Sequence, residues 1–313
     1  MIRVGVANID ISHPLVFADV MKREGRMQYV GVYNDSFRSD EEVEGMIARF
    51  GLEKRCSTLE ELADMCDIGF IQGCNWADRL RCAMPFIEKG KPVFLDKPMV
   101  GSVADCRLLR ELIKSGAKVV GSSSDRYAEE IRNFLAMDPG ERGEIVTVYG
   151  TAGVDEFNYG IHIVEAIGGL MGQGAESVRY MGRADQGGQY SESYFVHFKD
   201  GRSAIYTNLT GTWQWFGIQI LTTTGTWQLI LDPVSTYDAL LHEIANYMEG
   251  KPHLLADGEA LLESIEIMLA GAASRENGGK SVRLDELNED SPAFDGDAFW
   301  RGYRDASGPM YAL

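Results

Sequence analysis

The sequence predicts an α/β protein: an N-terminal doubly wound parallel sheet, then an α+β part with an open, mainly antiparallel sheet. Three observations predict it. The 313 residues exceed what one hydrophobic core usually organises. Through the first 120 positions, short apolar runs alternate with helical stretches, the rhythm of parallel strands joined by right-handed crossovers. From about residue 143 short strands follow one another with turn signals between them, the rhythm of antiparallel hairpins. The expected division is a first domain over 1–122 and a second over 123–313.

The elements follow in order. Residues 3–7 form an apolar strand, and Val16, Phe17, Val20 and Met21 mark the buried face of the next helix. A second strand at 29–33 precedes a helix at 41–50, stopped by Gly51 where a left-handed cap is wanted. Ser57 and Glu60 have capping-box spacing for a short helix ending at Met65. Apolar runs at 68–72, 92–95 and 118–121 are separated by helices at 77–89 and 103–115. Beyond 143 come a strand beginning at 144–149, an apolar helix at 160–171, and strands at 177–181, 193–199, 203–209, 218–223 and 226–231. Lys199-Asp200-Gly201 is a hairpin turn signal. Two helices at 236–249 and 257–274 follow. The tail from Asp290 mixes acids with Phe294, Phe299, Trp300 and Tyr303, a composition that packs on something the sequence does not name.

Composition narrows the function. Thirty basic against forty-seven acidic residues leave a net charge of −17, which argues against nucleic acid and anionic membrane as partners. The sequence has no apolar run long enough to span a bilayer, and its N-terminus lacks the basic-then-apolar order of a secretion signal. The five cysteines, Cys56, Cys66, Cys74, Cys82 and Cys106, show no C-x-x-C spacing, so a reducing cytoplasm is expected rather than a disulfide or zinc framework. His197, His242 and His253 have no ligand-spaced partners in the sequence, and no metal is assigned.

A doubly wound sheet binds its ligand at the carboxyl ends of its strands. The first such turn, Asn8-Ile9-Asp10-Ile11-Ser12-His13, puts Asn8, Asp10 and His13 where a dinucleotide turn carries three glycines. A carboxylate at the middle position should repel a diphosphate. Two readings stay open: the turn has lost phosphate contact, or its backbone N–H groups still bind while Asp10 caps the helix. The second turn, Asn34-Asp35, supplies either a ribose-hydroxyl acceptor or an ordinary turn former. Arg38 nearby is a candidate 2′-phosphate partner, so NAD and NADP both stay open. Lys97, at a strand end, is either a cation that polarises a carbonyl or holds an alkoxide, or a solvated surface lysine. His162 lies in an apolar helix with Asn158 four residues before and Glu165 three after, a polar face suited to acid–base work. Its alternative is a satisfied core histidine. Trp213, Trp215 and Phe216 belong to sheet packing or to a face buried against another subunit.

The segment Gly90-Lys91-Pro92-Val93-Phe94-Leu95-Asp96-Lys97-Pro98 resembles the G-K-x-V-x-x-E-K-P segment of the Gfo/Idh/MocA oxidoreductases, with Asp96 for the usual Glu. Ile71-Gln72-Gly73-Cys74-Asn75 is similar to the family's fourth-strand loop, usually I-A-T-P-N. Gly160-Ile161-His162-Ile163-Val164-Glu165 is similar to its G-x-H-x-x-D helix, and Lys251-Pro252 with the following helix to its E-G-K-P stretch. The resemblance runs in order along nearly the whole chain. It implies a Rossmann domain over 1–122 and a substrate and oligomerisation domain over 123–313, with homodimers or homotetramers formed through the second sheet.

By the same resemblance, Asn8, Ile9, Asp10, His13, Asn34, Asp35 and Arg38 border NAD or NADP from one side. Gly73, Cys74, Asn75, Asp96, Lys97 and Pro98 border it from the other. Lys97 and His162 would contact the reacting hydroxyl, with Asn158 in the place of an assisting aspartate and Glu165 beside it. Arg126 and Tyr127 match an Arg-aromatic position that touches substrate, or else simply start a helix. Only residues 150–159 lie where the family has a longer segment, so a pocket that is shallower or partly built by another subunit is expected. The implied function is NAD(P)-dependent oxidation or reduction of a secondary alcohol on a sugar, inositol or related polyol. The alternatives are a catalytically degenerate sensor or partner-binding protein, and an NAD-assisted glycosidase.

Overall fold

The computed structural model describes residues 1–309, so the last four residues of the expected second domain and tail lie outside the described residues. Its first sheet has six parallel strands: β1 (Ile2–Ala7), β2 (Met27–Tyr33), β3 (Lys54–Arg55), β4 (Ile68–Ile71), β5 (Val93–Asp96) and β6 (Val119–Ser122). Their order is β3-β2-β1-β4-β5-β6, with all neighbours parallel. The crossovers carry α1 (His13–Glu24), α2 (Asp40–Phe50), α3 (Leu59–Met65), α4 (Arg79–Glu88) and α5 (Val103–Lys114). Strand order reverses between β1 and β4, which opens a crevice at their carboxyl ends.

Local chemistry explains the helix ends. Gly51 ends α2 at φ +68°, as the sequence predicts. The predicted box at Ser57 and Glu60 does not form before α3, whose N-cap is Thr58. Extended Thr58 accepts the Glu61 N–H at 3.1 Å, and Glu61 accepts the Ser57 N–H at 2.6 Å. A full box at Ser39 and Glu42 starts α2 and passed unnoticed in the sequence. β3, two residues long, is too short to show a period.

The rest of the chain holds α6 (Glu129–Ala136), α7 (Pro139–Arg142), β7 (Ile145–Val154), α8 (Gly160–Met171), β8 (Ala175–Gln186) and β9 (Gln189–Phe198). Then come β10 (Ser203–Thr210), β11 (Gly217–Thr222), β12 (Thr226–Ile230), α9 (Ser235–Met248), α10 (Gly258–Glu276), β13 (Val282–Arg283) and α11 (Gly296–Ala306). The second sheet runs β12-β11-β7-β10-β9-β8-β13. It is antiparallel throughout except for β7 and β10, which pair parallel because the crossover through α8 separates them in sequence. α8 and α10 cover one face. Gly150 lets α8 come close: a Cβ there would stand 2.5 Å from Ile163. Val146, Met181, Leu221 and Ile230 are among the exposed apolar side chains of these strands.

The two sheets are joined by helix packing, α9 on α1 and α10 on α5. Phe17, Phe70 and Phe94 fill the core of the first sheet, with ring centroids 4.8 Å apart for Phe70 and Phe94. After β13 the chain returns to the first half, where the Phe294 N–H donates to the Gly101 carbonyl at 2.9 Å while its ring stacks at 3.9 Å on Phe157 from the loop between β7 and α8. α11 then lies across the carboxyl ends of the strands, Phe299 on Trp76 and Trp300 on Phe37. All five cysteines are free and buried. Among the described residues, no helix is long and apolar enough to cross a membrane.

Candidate active site

The crest of the first sheet is built from three loops. Asn8, straight after β1, has φ +61°, the left-handed backbone a glycine ordinarily supplies there. Its Oδ1 accepts the Asp35 N–H at 3.0 Å, tying the first loop to the second. Asn34 does the same in reverse, accepting the Ile9 N–H at 3.3 Å. Asp10 does not cap α1, contrary to that expectation. It is buried, and its Oδ2 accepts the Cys74 N–H at 2.9 Å from the third loop, while Ser12 takes the N-cap position. Burial pushes the Asp10 carboxyl above the ordinary aspartate value, against the Cys74 N–H that it accepts.

Between these loops lies a cavity of about 260 Å³, lined among others by Asn8, Asp10, Asp35, Gly73, Asn75 and Trp300. Its volume lies just below the roughly 300–1,000 Å³ typical of small-molecule sites, as suits part of a larger ligand. The residues fit the nucleoside half of a dinucleotide. Asp35 holds a carboxylate at the second strand end, with Arg81 and the Tyr33 hydroxyl both on Oδ2 at 2.6 and 3.0 Å. Burial pushes the Asp35 carboxyl up, but Asn8, Arg81 and Tyr33 outweigh it and hold the group below the ordinary range, so it is ionised and can accept hydrogen bonds from hydroxyls.

Several predicted cofactor residues have their side chains engaged within the protein. Arg38 is buried, giving Nε and Nη2 to the Asp10 carbonyl at 3.0 and 2.6 Å and Nη1 to Glu42 and the Gly308 carbonyl. It is not free for a 2′-phosphate. The His13 ring turns inward to Asp96, 2.7 Å from Nδ1 to Oδ2, with the Tyr237 hydroxyl 3.3 Å from Nε2. Ile9 and Cys74 are buried side chains that shape the crest. The sequence offered no sign of Arg79, whose buried guanidinium binds the carbonyls of Gly73, Asp96, Lys97 and Pro98. It locks the end of β5 to the third loop.

That lock positions Lys97. The lysine is 6% exposed, and its Nζ donates to the Asn158 carbonyl at 3.2 Å and to Asn158 Oδ1 at 3.0 Å. It is not a solvated surface residue. Burial pulls its ammonium below the ordinary lysine value, against the nearby carboxylates of Asp96 and Asp155. Asp96 is pushed up by burial, but His13, Arg79 and Lys97 outweigh this and keep it ionised.

His162 approaches from the other half of the chain. Lys97 Nζ lies 5.4 Å from the centre of the Tyr159 ring, and that ring lies 5.9 Å from the His162 ring. Phe216 closes His162 in at 5.0 Å, while Trp213 and Trp215 of the same loop stay exposed. Burial, with the Lys97 charge added to it, holds His162 well below the ordinary histidine value, so the ring is neutral.

The partners of His162 differ from those predicted. Ser123 Oγ lies 2.7 Å from Nδ1 and Asp125 Oδ2 lies 3.7 Å from it. Burial pushes the Asp125 carboxyl up to about 7, although Lys97 opposes the shift. Glu165 faces elsewhere: it pairs with Arg126 at 2.5 Å, both buried. Gly168 and Gly169 make room for that arginine, since a Cβ at either would stand 2.5 or 2.6 Å from it. Tyr127 is buried too, donating to the Gly121 carbonyl and accepting the Ala256 N–H. Both predicted substrate residues are thus engaged by protein groups, Arg126 by Glu165, Ser264 and the Ala260 carbonyl and Tyr127 by backbone. Asn158 precedes α8 rather than sharing its face, and it serves Lys97, held by Asp155 through its N–H at 2.6 Å. Ser123, Asp125, Asp155 and Tyr237 were missed because nothing in their local sequence marks them. His197 and His242 each gain one carboxylate partner, Glu176 and Glu24, through tertiary packing.

A strand-order switch with a nucleoside-sized cavity at the strand ends, and a buried lysine just past β5 that shares Tyr159 with a buried histidine, have the arrangement of a nucleotide-binding fold. Comparison with known proteins makes this specific. Residues 3–123 match the model of the Gfo/Idh/MocA oxidoreductase family with an NAD-binding Rossmann fold. Among solved structures, a probable dehydrogenase from Thermotoga maritima superposes with a TM-score of 0.77 at 16% identity, over 91% of this chain and 100% of that one. A scyllo-inositol dehydrogenase from Lactobacillus casei follows at 0.75 and 12%, over 91% and 98%. GenD2 of gentamicin A biosynthesis, in complex with NAD, reaches 0.73 at 17%, over 90% and 96%. At these identities the likeness is one of fold. No curated protein sequence matches the chain.

Proposed function

We infer that the protein is an NAD(P)-dependent oxidoreductase that acts on a secondary alcohol of a sugar, inositol or related polyol. One observation carries this: a buried ammonium on Lys97 and a neutral imidazole on His162 flank the Tyr159 ring at the carboxyl end of β5. When bound, the nicotinamide supplies or accepts the hydride. Lys97 stabilises negative charge on the substrate oxygen, and its burial strengthens that interaction because little water screens it. Asn158 sets the ammonium's position, and Arg79 sets the strand end that carries it. An ionised Asp125 near Nδ1 of His162 favours the hydrogen there, which leaves Nε2 as the basic nitrogen for the hydroxyl proton.

The match to polyol substrates is supported by the inositol dehydrogenase among the fold relatives. NAD is supported by the relative solved with it, and neither cofactor is excluded for this chain. The exposed apolar side chains of the second sheet support a homodimer or homotetramer formed through that face.

Nicotinamide fluorescence on mixing, followed by a polyol panel, tests the reading. Lys97→Met should lower turnover by about 10²–10³ while cofactor affinity stays within a few fold, and His162→Asn should remove proton exchange. Wild-type protein that binds neither NADH nor NADPH at millimolar concentration would overturn it and favour the partner-binding reading.

A further inference from the structure

The crevice has two walls. The inner one comes from the strand-end loops; the outer one comes from α11, residues that no family match covers. We propose that α11 is part of the cofactor site, with Trp300 and Asp297 contacting the adenosine half of the dinucleotide. This rests on the oxidoreductase reading above. Both residues line the same cavity as Asn8, Asp35, Gly73 and Asn75.

The helix is held there by specific polar bonds to the loops that bear the cavity. The Trp300 indole N–H donates to Ser36 Oγ at 2.8 Å in the second loop. Asn75 Nδ2 donates to Asp297 Oδ1 at 2.7 Å in the third. Arg38, already on the Asp10 carbonyl, takes the Gly308 carbonyl at 3.0 Å just past the helix. Trp76 donates to the Phe294 carbonyl at 2.7 Å as the chain arrives. A helix fastened to both sides of a cavity of about 260 Å³, yet leaving it open, is built as a wall.

The chemistry of that space selects the nucleoside. Asp10, Asp35, Asp78 and Asp297 outnumber Arg79 and Arg81 in the lining, and Arg79 is spent on carbonyls. Surplus carboxylates accept hydrogen bonds from hydroxyls and repel phosphate, so an uncharged ribose and base fit where a diphosphate does not. An indole beside them offers a flat partner to a purine.

The test uses the full chain with NADH and with adenosine alone as probes, read by calorimetry and by quenching of indole emission. Trp300→Ala should weaken both ligands about tenfold. Asp297→Asn keeps the acceptor for Asn75 and the helix cap, yet should weaken both at least threefold, without change in melting temperature before ligand is added. Binding that is unchanged or tighter in both variants, while wild type binds NADH, would overturn the proposal and make α11 a bystander or a plug. Wild type that binds neither probe would instead remove the oxidoreductase reading, and this proposal with it.

Discussion

Replacing Asp125 with asparagine takes a titrating carboxyl out of the closed space between Lys97 and His162. Burial raises this carboxyl from the ordinary 3.8 to about 7. At about 1.4 kcal/mol for each tenfold change, that gap corresponds to about 4 kcal/mol. A group whose folded value is raised contributes stability that is full below its unfolded value and is lost as pH rises through the folded one. For Asp125 the loss accumulates from pH 3.8 to about 7 and is complete above. His162 has the opposite sign, losing stability as pH falls below its ordinary value, but it is present in both proteins and cancels in the difference. Asp125→Asn should therefore be the more stable protein at pH 8, by an amount approaching 4 kcal/mol in urea unfolding. Its advantage should shrink by about 3 kcal/mol on going to pH 5. Alcohol oxidation by wild type should also rise through pH 7, with the inflection missing in the variant. An advantage that does not change with pH, or a wild type more stable at pH 8, would refute the account of the cluster.

Two further expectations separate scaffold from site. Glu165→Gln leaves Arg126 buried without its counter-charge, and urea unfolding should show a loss of about 3–5 kcal/mol. NADH affinity should be unaffected; normal stability with lost turnover would return Glu165 to the catalytic group. Arg38→Met should weaken NADH and NADPH equally, because the guanidinium serves the Asp10 and Gly308 carbonyls rather than a phosphate. Titrations in which only NADPH binding fell would contradict that assignment.

Much of the architecture is written locally. The alternation of apolar runs and helices shows in short windows, since burial on a strand or a helix face repeats every two or about 3.6 residues. Gly51 and the Lys199-Asp200-Gly201 turn read correctly for the same reason: a cap or a turn is decided by three or four neighbours. Lys97 and His162 also stood out, because a cation at a strand end and a lone histidine in an apolar helix contrast with their immediate surroundings.

What each group touches was decided elsewhere. Glu165 sits three residues from His162 in sequence, yet the turn of α8 aims it at Arg126, and His162 finds Ser123 and Asp125 across a gap of nearly forty residues. Arg38 reads as a phosphate ligand until Gly308, 270 residues later, arrives beside it. Asn8 shows how a residue type misleads: it stands where glycine is expected and still takes the glycine backbone, because its side chain bonds the neighbouring loop. The outer wall of the crevice could not be read at all. An amphipathic helix announces that it will pack, but only the folded chain chooses the surface, because apolar burial is non-directional and the fastening bonds join residues more than two hundred positions apart.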